Sequence, residues 1–240
     1  MRSQRLVLLA SACILSVAAS VAHADIREMF GYTDATTPVV LQLNGGATQL
    51  AAVDQGWFDD TGSRGNASGN YATGVCGIVY LCANPRDIVY RNFFVFNLGQ
   101  VTPQITSASL LLWNPDRFDV NGPGYFSTHD SETFLVHEVH SAPSELAVLN
   151  SHRVDIFQDL ADGPLYGERV VSWADNGTWV SVALNGAAIL ALNQAAGGTI
   201  AIGGSLAGVD PIPEPNALPL MLLGGALLGW QVQRRRSAMV

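Results

Sequence analysis

Between residues 37 and 203 apolar and polar positions alternate in short runs, separated by breaks rich in glycine, asparagine and proline. Period-two alternation puts one face of a strand in a core and the other in solvent. The pattern predicts an opening strand at 37–43, closed by the turn signal Asn44-Gly45-Gly46. Residues 56–71, rich in Gly, Asp, Asn and Ser, read as a loop with Trp57 and Phe58 turned inward. The strongest strand is 88–98, dense in β-branched and aromatic residues. Strand 105–113 places Ala108, Leu110 and Leu112 on one face, and 114–130 follows as a polar loop. In 132–139, Phe134, Val136 and Glu138 alternate against Thr133, Leu135 and His137. Further strands are expected at 168–172 and at 178–184, the latter with Val180, Val182 and Leu184 on one face. Strand 199–203 closes a sheet.

One short helix is expected over 186–196. Asn185 is its N-cap, Gly197 its C′ residue, and Ile189, Leu192 and Ala196 its apolar stripe. Many short strands, one helix and long polar loops define an all-β domain, a jelly-roll-like β-sandwich.

The two ends read differently. Arg2 and Arg5 precede an apolar stretch, 6–22, and Ala22-His23-Ala24 is an A-x-A cleavage site. This is a secretory signal helix, 1–24. At the other end Pro211-Ile212-Pro213-Glu214-Pro215 cannot be a helix interior. The run 215–233 carries no charge and spans about 28 Å as a helix, close to the apolar thickness of a bilayer. Arg234, Arg235 and Arg236 follow, which sets the tail inside and the domain outside. The expected organisation is signal 1–24, extracytoplasmic β-sandwich 25–204, linker 205–215 and transmembrane sorting tail 216–240.

Charge narrows the partners. Residues 25–210 hold seven Arg, no Lys and 19 Asp plus Glu, a net of 7 − 19 = −12, against −8 for the whole chain. A lysine-free acidic surface repels nucleic acid and anionic lipid. Of three cysteines, Cys13 lies in the signal, leaving Cys76 and Cys82. In an exported domain these two favour a disulfide; a metal pair is the alternative, but no second Cys pair or nearby His supports it.

Candidate chemistry is sparse. His137-Glu138-Val139-His140 falls one residue short of the H-E-x-x-H zinc pattern, and on a strand the two imidazoles face opposite sides. A strand-end histidine pair in solvent is the simpler reading, so no metal site is assigned. Ser, His and Asp are present without a G-x-S-x-G elbow. Asp59-Asp60 and Asp116 with Asp119 lack the spaced calcium-loop pattern. A structural Ca²⁺ stays open, and otherwise no cofactor and no catalytic residue is expected. Loop aromatics, namely Trp57, Phe58, Tyr71, Trp113, Tyr125, Phe126, Tyr166, Trp173 and Trp179, are the remaining handle for sugar stacking, against core packing for any single one.

Two resemblances follow. Pro213-Glu214-Pro215, a hydrophobic segment and the terminal cluster Arg234-Arg235-Arg236 resemble the PEP-CTERM sorting signal, with Ile212 where Val is usual. The resemblance covers about 30 of 240 residues and implies handling by an exosortase, an integral-membrane transpeptidase-like cysteine protease. Residues 91–98 and 105–110 resemble a strand pair of exported β-sandwich modules, including carbohydrate-binding-like ones, and transfer no binding residue. The expectation is an exported, non-enzymatic surface or exopolysaccharide-matrix protein, anchored in the inner membrane before processing. A carbohydrate-binding module that uses extracellular polysaccharide as partner, and a polysaccharide hydrolase or lyase, are the alternatives.

Overall fold

In the computed structural model, residues 28–32, 37–64, 70–76, 88–102, 104–116, 124–149 and 152–209 are described. Twelve strands occur among them: β1 Glu28–Tyr32, β2 Val40–Leu43, β3 Thr48–Ala51, β4 Asp54–Asp59, β5 Thr73–Cys76, β6 Ile88–Asn97, β7 Ala108–Asn114, β8 Gly124–Phe126, β9 Ser131–Glu138, β10 Leu165–Ser172, β11 Thr178–Ala183 and β12 Thr199–Leu206. Helices α1 Pro143–Leu146, α2 Val154–Asp162 and α3 Gly186–Gln194 complete the set.

The strands form two antiparallel sheets. One runs β10-β9-β12-β6-β5-β1-β8, with β4 paired to β6; the other runs β11-β7-β2-β3. Strand β6 is long enough to change partners along its length. Ile88–Tyr90 pair with β5, Asn92–Asn97 with β12, and Tyr90–Val95 with β4 on the opposite edge. Where β12 gives way to β5, the Thr73 hydroxyl donates to Tyr90 O at 3.0 Å, and Asn92 Nδ2 donates to Tyr71 O at 2.9 Å.

Inner positions of both sheets share one core. Leu41, Leu43, Leu110, Leu112, Val180 and Val182 come from the smaller sheet; Phe30, Phe94, Phe96, Phe134 and Val136 come from the larger. Each fully buried side chain of this size contributes roughly 1.5–3 kcal/mol by leaving water. Tyr71 packs edge-on against Phe94 at 5.7 Å and sends its hydroxyl to Trp113 O, so its ring is core and its polar tip is satisfied. Burial pushes the Tyr71 phenol up, which keeps it a donor.

The predicted alternation is present in β7 and β11; in β9 Phe134 and Val136 are buried as expected, but His137 on the other face is buried too, and Asn185 caps α3 by accepting from the amides of Ala187 and Ala188. Three expectations are corrected. Among the described residues there are three α-helices, not one. Helix α2 buries Ile156, Phe157 and Leu160 against the larger sheet, a stripe of only three residues between short polar segments. The 56–71 loop is half strand: β4 pairs through Gly56, Trp57 and Phe58 with Phe93, Asn92 and Arg91. The domain also runs past residue 204, because β12 continues to Leu206 and Val209 is buried.

Among the described residues no helix is long and apolar enough to cross a membrane. The expected signal helix and transmembrane tail lie outside the described residues.

Candidate functional site

The aromatic residues sort by register rather than by loop. Phe58, Tyr71, Tyr125 and Tyr166 are core. Trp57 packs on Tyr90, and Trp173 packs against Tyr125 and Phe126. For these seven residues the packing reading holds over sugar stacking. Trp113 and Trp179 are the exception. They sit on strands β7 and β11, directly opposite in register, with ring centroids 5.7 Å apart and Trp179 47% exposed.

Both project from the outer face of the smaller sheet, because Leu112 and Val180, their chain neighbours, point into the core. Beside them the outer rungs read Ser181–Leu111–Val40–Ala51 and Ala183–Ser109–Gln42–Gln49 across the four strands. The face is uncharged, with an aromatic pair at one end and amides and hydroxyls at the other. An open cleft of about 270 Å³ between β3 and the end of β6, lined by Gln49, Ala51, Asn97 and Gln100, borders its polar end.

The histidine motif resolves differently from its reading as a solvent pair. His137 is buried, with Nδ1 3.0 Å from Gly163 O and Nε2 3.5 Å from the Ser205 hydroxyl. Burial is the main cause holding its pKa below the ordinary value, with Arg91 adding to it; Gly163 O and Asp162 pull the other way. His140 is exposed beyond the end of β9, with Nδ1 3.2 Å from Asp159 of α2. The two imidazoles share no ligand position. Asp59 is a turn cap, accepting from the amides of Thr61 and Ser63 at 2.9 and 3.0 Å. Asp116 is exposed, and Asp119 lies outside the described residues.

One trio was not singled out from the sequence. Glu28 on β1, His129 in the β8–β9 connection and Glu132 on β9 bring one ligand atom each within 4.8 Å of one another. His129 Nδ1 lies 2.9 Å from Glu28 Oε1 and 2.9 Å from Glu132 Oε1. The carboxylate side chains are 8% and 12% exposed. The Ser127 hydroxyl donates to Glu132 and accepts from the His129 amide, which fixes the connection. Desolvation, then the Glu132 charge, pushes the Glu28 carboxyl up. A hydrogen bond to Glu132, then the charge of Glu28, raises the His129 imidazole. These three are the residues that could hold a metal. The spacing from 28 to 129 carried no signal for them, because nothing local links two segments a hundred positions apart.

Cys76 is disulfide-bonded on β5. Cys82, its expected partner, and the sorting residues Pro213, Glu214, Pro215, Arg234, Arg235 and Arg236 lie outside the described residues.

A mostly β domain with two antiparallel sheets precedes the tail. The chain carries the PEP-CTERM protein-sorting motif, which matches residues 211–236. That motif implies export, a precursor anchored at its C-terminus and processing by an exosortase. No curated protein and no solved structure matches the chain.

Proposed function

We propose that this is a non-enzymatic envelope or exopolysaccharide-matrix protein whose precursor waits in the inner membrane, tail inside, until an exosortase-type protease cuts near Pro213-Glu214-Pro215. The sorting motif at 211–236 carries this reading. The physics supports it: an uncharged run just long enough to span, arginines that resist translocation, and prolines that keep the preceding segment extended for a protease. The two facing sheets support a β-sandwich of jelly-roll-like kind as the exported cargo. The full chain with an epitope at each end tests the sorting step. Loss of the C-terminal epitope from the mature protein, and its retention in Glu214→Ala, are expected. A C-terminal epitope that stays on the released protein overturns cleavage.

A second reading is favoured by the Trp113–Trp179 pair. An exposed indole with Ser181 beside it, and Ser109 and Gln42 farther along the same face, offers stacking and hydrogen bonding together, the combination a neutral sugar surface takes. An uncharged polysaccharide retarding the full chain in affinity electrophoresis, but not Trp179→Ala, supports it. Equal mobility of the two removes it.

A further inference from the structure

Strands β8 and β9 are joined by only four residues, 127–130, yet they stand near opposite ends of the larger sheet's order. Five extended residue spacings reach about 17 Å at most, so the sheet must curl until its ends approach. They do: Phe30 of β1 meets Phe134 of β9 at 4.9 Å between ring centroids. Glu28, His129 and Glu132 sit on this seam.

We propose that the seam is a binding site for a divalent late transition cation, with zinc as the reference ion, held by Glu28, His129 and Glu132. The first argument is donor type. An imidazole nitrogen with two carboxylates suits zinc and its neighbours, whereas calcium and magnesium take oxygen alone. The second is convergence. Both carboxylate oxygens approach the same ring nitrogen at 2.9 Å, from two strands and from opposite sides of the seam. Ligand bonds of about 2.0–2.2 Å in tetrahedral array put neighbouring donors about 3.3–3.5 Å apart, so each contact has to open by about half an ångström. His129 is 65% exposed and can swing by that amount without disturbing the core. The third is charge. The Nδ1 position can offer only one N–H to two carboxylates that are largely withheld from water. No other polar partner of Glu28 occurs among the described residues. Desolvated like charges are costly, and a 2+ ion cancels both. Three protein ligands leave a fourth position for water.

Bound there, the ion staples β1 to the β8–β9 connection and locks the curled sheet shut. The test uses the full chain in detergent, without a polyhistidine tag, stripped by chelation. Zinc titrated by calorimetry should bind once per chain and raise the unfolding midpoint, and calcium at the same concentration should do neither. His129→Gln changes an exposed side chain and leaves the core intact; it should weaken zinc binding at least ten-fold and abolish the midpoint shift, and Glu132→Gln should do the same. No saturable zinc binding, or one-to-one binding that survives in His129→Gln, overturns the proposal. So does calcium binding in place of zinc.

Discussion

On the outer face of the smaller sheet, Trp113 and Trp179 oppose each other from β7 and β11, and no charged side chain stands in the rungs beside them. At the seam of the larger sheet, Glu28, His129 and Glu132 meet, drawn from three segments and partly withheld from water. The tryptophan pair needs only the β7–β11 register: fix that one antiparallel pairing, long-range though it is, and the two rings must meet. The seam trio needs the whole sheet to curl, because nothing local brings β1 beside the β8–β9 connection. A strand face is therefore robust to distant change, and a closure site is sensitive to anything that moves a strand. The following measurements push on that distinction.

The largest effect should come from Gly74→Ala. Gly74 has φ +122°, and a Cβ there would lie 1.8 Å from Glu28 O, so β1 must shift. Backbone strain and overpacking each cost about 1–3 kcal/mol. Urea unfolding should register the loss. Zinc binding at the seam should fall with it, while affinity of the tryptophan face for polysaccharide stays unchanged. Loss of both together, in a chain that stays folded, would show that the two surfaces are not independent.

Next comes the contrast within β7. Leu110 is fully buried, and Leu110→Ala should cost about 2–5 kcal/mol in chemical unfolding. Trp179→Ala, on the opposite face of the paired strand, should cost less than about 1 kcal/mol, because half the ring already faces water. Similar costs would mean that the tryptophan pair is structural.

Reduction acts on the seam side, since Cys76 of β5 packs with Met29 of β1. The Cys76–Cys82 bond would close a seven-residue ring and is worth about 2–2.5 kcal/mol by chain entropy. Alkylation of the native, non-reduced protein should label neither cysteine, and Cys82→Ser should lower the unfolding midpoint. Labelling of both cysteines would exclude the pairing.

The smallest effect separates His137 from Glu28. Burial depresses the pKa of His137, so folding favours its neutral form. Its contribution is full above the ordinary histidine value of about 6.5 and is lost as pH falls through the folded pKa. Glu28, shifted upward, contributes in the opposite direction, regaining stability as it protonates. Metal-free stability of the chain against His137→Gln, measured from pH 8 to pH 5, isolates the first: the acid-side loss should be shallower in the variant. Identical slopes would show that His137 does not titrate in the fold.

Much of this was legible in the chain because it depends on neighbours in sequence. Alternation in Ala108, Leu110 and Leu112, and in Val180 and Val182, declares strands whatever surrounds them, since the side-chain period is a backbone property. The same holds for the Asn185 cap, and for a tail whose proline, apolar and arginine segments act in order along one stretch. Helix α2 was missed because Ile156, Phe157 and Leu160 make too short a stripe to outweigh the polar residues around it, although Gly163-Pro164 marks its end. Strand β4 was missed because Gly56, Asp59 and Asp60 are turn formers that tertiary pairing to β6 overrides. Tertiary structure alone decided that Trp113 faces Trp179, that His137 is buried while His140 is not, and that Glu28 lies against His129 and Glu132. Each depends on which strands become neighbours, and that is set by the burial of one shared core rather than by any local preference of the residues involved.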